Sequence, residues 1–109
     1  MNVLGIFAEF IGTFIFLFVI LQSGQPIPIV IALLAVIYAF GNISGGHFNP
    51  SISIMMGADG KITPLETCLY VVAQIAGGLC AVLVHKACMK HKLYKGSSDP
   101  VLNPESLKI

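Results

Sequence analysis

From Phe10 to Ala58 no side chain carries a formal charge, yet the middle of that run reads SGGHFNPSIS, residues 44–53. A long uncharged stretch is what a bilayer demands of a segment that crosses it, because a charge in hydrocarbon is expensive. Two glycines, a histidine and an Asn-Pro pair are what a regular crossing helix avoids. The chain must therefore place most of this stretch in lipid and also accommodate a polar, helix-breaking insert inside it.

A membrane helix needs about 20 mostly apolar residues. Three segments qualify. The first spans about residues 3–22, VLGIFAEFIGTFIFLFVILQ, interrupted only by Glu9. SGQP at 23–26 is a turn rich in helix breakers. The second spans about 28–43 and the third about 65–86. Ala73, Gly77 and Ala81 recur on the third at four-residue spacing, which lets helix backbones approach closely or is ordinary tolerance of small residues. A second uncharged run, from Thr67 to Val84, forms the core of the third span. The first span is read as retained, not as a signal peptide, because no Lys or Arg precedes it and it is too long for a signal core. Residues 87–109 read as a polar tail, separate from a body at 1–86.

The composition agrees with a lipid solvent. Only 10% of residues are charged, and mean hydropathy is +0.89, where soluble domains carry about 25% charged residues. A net charge of +1 gives no basis for a nucleic-acid partner. Cys68, Cys80 and Cys88 sit in or near one apolar segment and read as small membrane-helix residues, not as a disulfide framework. No nucleophile–base arrangement or paired carboxylates suggest an enzyme, and no cofactor is expected. His85, Cys88 and His91 in HKACMKH recur every three residues. That spacing drifts around a helix and no fourth ligand is evident, so no metal site is expected. Cys88 beside lysines is at most a weak palmitoylation candidate.

The insert has its own logic. Asn49 suits a helix N-cap and Pro50 the first helical position, where no N–H is needed. A helix over about 50–56 is roughly 10 Å long at 1.5 Å per residue, far short of a hydrocarbon core about 30 Å thick. The expected geometry is re-entrant: residues 44–48 descend as extended chain, turn at Asn49, and a half-helix climbs back. Irregular backbone is tolerated at that depth only when buried in protein or lining a water-filled cavity. The competing reading is a plain interhelical loop in water.

AEFIGTFIFLF in the first span, SGGHFNPS in the insert and AQIAGGLCA in the third span resemble the aquaporin and glycerol-facilitator (major intrinsic protein) family over about residues 6–85. The match is to one of the two inverted units of the family's usual chain, the N-terminal one. The resemblance implies an all-α membrane protein, an aquaporin-like half with three transmembrane helices plus one re-entrant half-helix. It implies a passive channel, or channel half, for water and small neutral solutes such as glycerol. The alternative is a non-conducting membrane interaction subunit or a truncated channel copy.

The resemblance also assigns roles. Asn49 offers its amide to the solute at the pore centre, where the helix N-terminus adds roughly half a positive charge. The carbonyls of Gly45, Gly46 and His47 form an acceptor ladder leading to it, with the His47 ring packed behind the loop. Glu9 is a buried acceptor for N–H groups of that loop, and Gln74 supplies a second hydrogen bond in the bundle. Pro50 and Ser51 support the loop. Ser51 departs from the family's more common Ala and adds a hydroxyl that either faces the centre or bonds back to local backbone. Matching the family's narrow filter gives Ile29, Ile37 and Gly46, with Ile52 where the second motif carries Arg. An apolar, uncharged constriction implies weaker rejection of protons and cations.

Half a pore needs completion. The expected partners, besides the lipid bilayer and the solutes, are a second copy in inverted orientation or a separate second-half chain. Three spans put the two ends of the chain on opposite sides. Lys86, Lys90, Lys92 and Lys95 lie on the tail side against Lys61 on the other, so the positive-inside rule places the tail in the cytosol. An antiparallel homodimer needs both orientations, and the lysine bias works against it.

Overall fold

The computed structural model describes residues 1–90. Among the described residues there are four helices: α1 (Val3–Ser23), α2 (Pro26–Ser44), α3 (Pro50–Ala58) and α4 (Pro64–Lys90). Three of them are long and apolar enough to cross a membrane, and this is an all-α, integral, multi-pass membrane protein.

The helix ends follow from local chemistry. Asn2 caps α1, its Oδ1 accepting from Gly5 N at 2.8 Å. Gly24 ends α1 in the left-handed region, its N–H donating to the carbonyl of Ile20, as a C-terminal glycine does without steric penalty. Pro26 opens α2, two residues before the point expected from the sequence, because a proline is tolerated where the N–H has no helical partner. Thr63 and Glu66 form a capping box at the head of α4: Thr63 Oγ1 accepts from Glu66 N at 3.1 Å, and Glu66 Oε1 accepts from Thr63 N at 3.3 Å. α4 runs to Lys90, past the expected end at residue 86. Nothing in HKACMK breaks a helix, and lysines near a C-terminus complement the helix dipole. The rest of the tail, with His91, Lys92 and Lys95, lies outside the described residues.

α1 packs against both α2 and α4, and α3 packs against α4. Two glycines on the α1 interfaces set the approach. A Cβ on Gly77 would come within 2.6 Å of the Phe10 carbonyl, so α4 crosses α1 at backbone distance there. Ala73, Gly77 and Ala81 are all buried on that face. A Cβ on Gly12 would collide with the Phe48 ring. Elsewhere the pattern of a soluble protein is reversed. Leu4, Phe7, Val30, Ile31, Val72, Leu79 and Leu83 are each more than half exposed, as befits surfaces solvated by lipid tails, and polar side chains gather inside. Along α2 only Ala32, Val36 and Ser44 are buried.

Candidate functional site

The loop between α2 and α3 is a sharp reversal. Gly45 and Gly46 have φ of 96° and 68°, and Phe48, a residue with a side chain, has φ of 53°. A left-handed residue other than glycine costs roughly 1–2 kcal/mol, so something must hold Phe48 there. Its N–H donates to Glu9 Oε1 at 2.7 Å. Its ring is 2% exposed, packed on Gly12 and edge-on to Phe40 at 6.5 Å between centroids.

Glu9 is the centre of the site. It is fully buried, and its carboxylate accepts four hydrogen bonds. Oε2 accepts from Ser44 Oγ at 2.6 Å and His47 N at 3.0 Å. Oε1 accepts from Phe48 N and from Gln74 Nε2, each at 2.7 Å. Two consecutive loop N–H groups thus point at α1. Among the described residues no donor reaches the carbonyls of Gly45, Gly46 or His47.

Gln74 gives its second amide proton to Ser53 Oγ at 2.7 Å. Ser53 Oγ is in turn 2.8 Å from His47 Nδ1. The Ser53 hydroxyl thus bridges Gln74 and His47 inside the bundle. The ring is 5% exposed and stands edge-on to Tyr70, 5.2 Å between centroids. Tyr70 donates from its hydroxyl to the Ser44 carbonyl at 2.8 Å, and Asn2 Nδ2 donates to the Ile43 carbonyl at 2.7 Å. The last carbonyls of α2 are therefore fixed by side chains of α1 and α4.

Asn49 caps α3 with extended backbone, φ −157° and ψ 122°, and its Oδ1 accepts from Ser51 N at 2.9 Å. That bond fixes which way the amide faces: the oxygen is engaged and the NH₂ points away from the helix. Asn49 is exposed in the described chain, and Pro50 occupies the first position of α3. Ser51 is exposed on the first turn of α3, with its N–H held by Asn49 Oδ1.

The remaining sequence candidates fall apart into groups. Ile37 lies beside Gly46, whose Cβ would be 3.8 Å from Ile37 Cγ1. Ile29 is on the same helix, roughly 12 Å earlier along the axis. Ile52 is half-buried on the first turn of α3. Among the described residues no group of three or more His, Cys, Asp or Glu side chains converges. His85 Nδ1 instead meets Gln22 Oε1 at 2.7 Å, while His91 lies outside the described residues. All three cysteines are free thiols.

Sequence reasoning singled out Glu9, His47 and Gln74 but missed Ser44, Ser53, Tyr70 and Asn2. Ser44 and Ser53 flank the helix-breaking insert, and Tyr70 sits one turn before Gln74 on the same face of α4, so polar residues at helical spacing were the available signal.

A model of the family described as Major intrinsic protein matches residues 2–106. Similar proteins include aquaporin Z of Photorhabdus laumondii subsp. laumondii, 34% identical over 92 residues that cover 71% of this chain and 40% of the relative. Glycerol uptake facilitator protein-like 6 of Lactiplantibacillus plantarum is 40% identical over 83 residues, covering 68% of this chain and 38% of that protein. Aquaporin PIP2-7 of Musa acuminata is 31% identical over 104 residues, 78% of this chain and 37% of the relative. The chain spans about two-fifths of the length of these curated relatives. No solved structure was found to match. With the family's pattern matched along nearly the whole sequence and three apolar helices to carry it, the chain belongs to the major intrinsic protein family.

Proposed function

We propose that the chain forms half of a passive transmembrane channel for water and small neutral solutes such as glycerol, completed by an inverted second half. The observation that carries this reading is the Glu9 carboxylate, which takes the N–H groups of His47 and Phe48 toward α1. The carbonyls of Gly45, Gly46 and His47 are then left for a solute that donates hydrogen bonds. Asn49 follows at the end of this ladder with its NH₂ as donor, next to the positive end of α3. A water molecule there donates to the carbonyls on one side and accepts from Asn49 on the other. It is held by both contacts and has no ready path for handing a proton onward.

The depth of the loop supports a re-entrant placement. α3 has nine residues, so it rises roughly 14 Å at 1.5 Å per residue, about half of a 30 Å hydrocarbon core. Its C-terminal end carries the charged Asp59 and Lys61, both exposed, and its N-terminal end carries none. With α3 rooted at the interface through GADGK, Asn49 sits near the midplane. Ile29, Ile37 and Ile52 make the narrow positions apolar. Exclusion of cations then rests on the end of α3, and proton leak exceeds that of a pore with an arginine.

The test is the osmotic response of vesicles reconstituted with the purified chain. The reading expects faster shrinkage than empty vesicles, and a return to the empty-vesicle rate with Asn49→Asp, which replaces the donor by a charged acceptor. Equal rates for the wild-type chain and empty vesicles, with the protein folded and inserted, would leave a non-conducting membrane subunit as the better reading.

A further inference from the structure

α4 is longer than a crossing needs. Between Glu66 and Lys86 it carries no charge, and that stretch rises roughly 30 Å at 1.5 Å per residue, the thickness of the hydrocarbon core. The helix then continues for another turn to Lys90. The contact of Gln22 with His85, at 2.7 Å, keeps the end of α1 level with it. Lys86 thus sits at the edge of the hydrocarbon and Lys90, one turn on, at the depth of lipid phosphates. The two lysines head a strip. Val72, Leu79, Leu83, Lys86 and Lys90 recur at spacings of seven, four, three and four residues, so at 3.6 residues per turn they fall within roughly 60° of one another. All five are exposed, Val72 at 63%, Leu79 at 61% and Leu83 at 67%. The strip faces away from the buried side of α4 that carries Ala73, Gly77 and Ala81. From Val72 to Leu83 it runs roughly 17 Å, close to one leaflet of the hydrocarbon core.

The charge at this end is one-sided. No Asp or Glu occurs from Thr67 to Ser98. Among the described residues the one ion pair, Lys61 with Asp59, lies at the opposite end of α4, where both signs are present. We propose that the strip binds one anionic phospholipid, with the headgroup phosphate between the ammonium groups of Lys86 and Lys90 and an acyl chain laid along Leu83, Leu79 and Val72. The lysines select the headgroup, since each basic side chain at a membrane surface favours acidic lipid roughly fivefold. The apolar residues below them match one chain in length. A zwitterionic phospholipid meets the same apolar strip but brings its own cation to the lysines, and so gains little from them. The site works independently of conduction. It draws the α4 end of the chain toward a membrane face rich in acidic lipid.

The chain contains no Trp, so a single one can serve as a local reporter. Leu83→Trp places an indole on the strip, roughly 5 Å below Lys86. Leu4→Trp places one at a comparably exposed site on α1, near the opposite membrane face. Each full-length variant is reconstituted in phosphatidylcholine vesicles, and its fluorescence is followed as phosphatidylglycerol or phosphatidylcholine with brominated chains replaces the host lipid. Both leaflets carry the quencher, so the direction of insertion does not enter. At Leu83→Trp, phosphatidylglycerol is expected to associate several-fold more tightly than phosphatidylcholine. At Leu4→Trp the two lipids are expected to quench alike. Adding Lys86→Gln with Lys90→Gln is expected to remove the preference at Leu83→Trp, and Lys86→Arg with Lys90→Arg to keep it. Equal quenching by the two lipids at Leu83→Trp overturns the proposal. So does a preference that survives the paired Gln changes, which would belong to other residues, or one of the same size at Leu4→Trp, which would not be local to the strip.

Discussion

The two ends of the α1–α4 pair are built on opposite plans. At the end that carries the α2–α3 loop, Asn2, Glu9, Tyr70 and Gln74 reach across to Ile43, Ser44, His47, Phe48 and Ser53. At the other end the facing side chains are Leu17, Leu79 and Val82, with one α1–α4 side-chain bond among the described residues, Gln22 to His85. The helices are alike in composition, so their own backbones do not need the difference. The loop does. Its N–H groups have no helix to bond, and in a membrane every such group must find a partner inside the protein. Polar side chains are concentrated where the backbone is irregular and scarce where it is regular.

Removing the hub breaks this contrast most severely. Glu9→Ala deprives the N–H groups of His47 and Phe48, with Ser44 and Gln74, of their common acceptor, and is expected to destabilise the fold on the order of 4 kcal/mol. Equilibrium unfolding in detergent reads it, together with loss of any osmotic permeability. Gly77→Leu attacks the shared α1–α4 crossing instead. The new side chain meets the Phe10 carbonyl, which cannot move aside as a side chain would, and a loss of about 3 kcal/mol is expected in the same assay.

Smaller changes sharpen the comparison. Tyr70→Phe keeps the ring against His47 and removes the bond to the Ser44 carbonyl. A cost of about 1 kcal/mol is expected, with faster amide exchange at Gly45 and Gly46. Gln22→Ala removes the bond to His85 at the other end, where no irregular backbone depends on it. Its expected cost is about 0.5 kcal/mol, with loop exchange unchanged. If Gln22→Ala disturbed the loop as much as Tyr70→Phe does, the two ends would not differ as described.

The three spans and the short helix were legible as apolar runs cut by SGQP, SGGHFNP and GADGK. Glu9 and Gln74 stood out because a polar residue inside an apolar run must have a reason. Ser44, Ser53 and Tyr70 were fainter: polar spacing marks them locally, but the bonds that give them their roles link positions 21 to 35 residues apart. The left-handed Phe48 was illegible for the same reason: its conformation is set by Glu9 and Gly12, both on another helix. Ile29, Ile37 and Ile52 are apolar residues among apolar neighbours, so only the resemblance set them apart. α4 continues past the apolar span to Lys90 because its last turns become polar without any residue that stops a helix.

The most direct test concerns the depth of the α3 tip. A spin label at Ser51→Cys in the cysteine-free chain, in vesicles, reports collisions with oxygen and with a water-soluble nickel complex. The account predicts a depth near the bilayer centre, while a label at Ala58→Cys sits at the surface. Equal, bulk-water exposure of both positions would place the loop outside the membrane and contradict the half-pore.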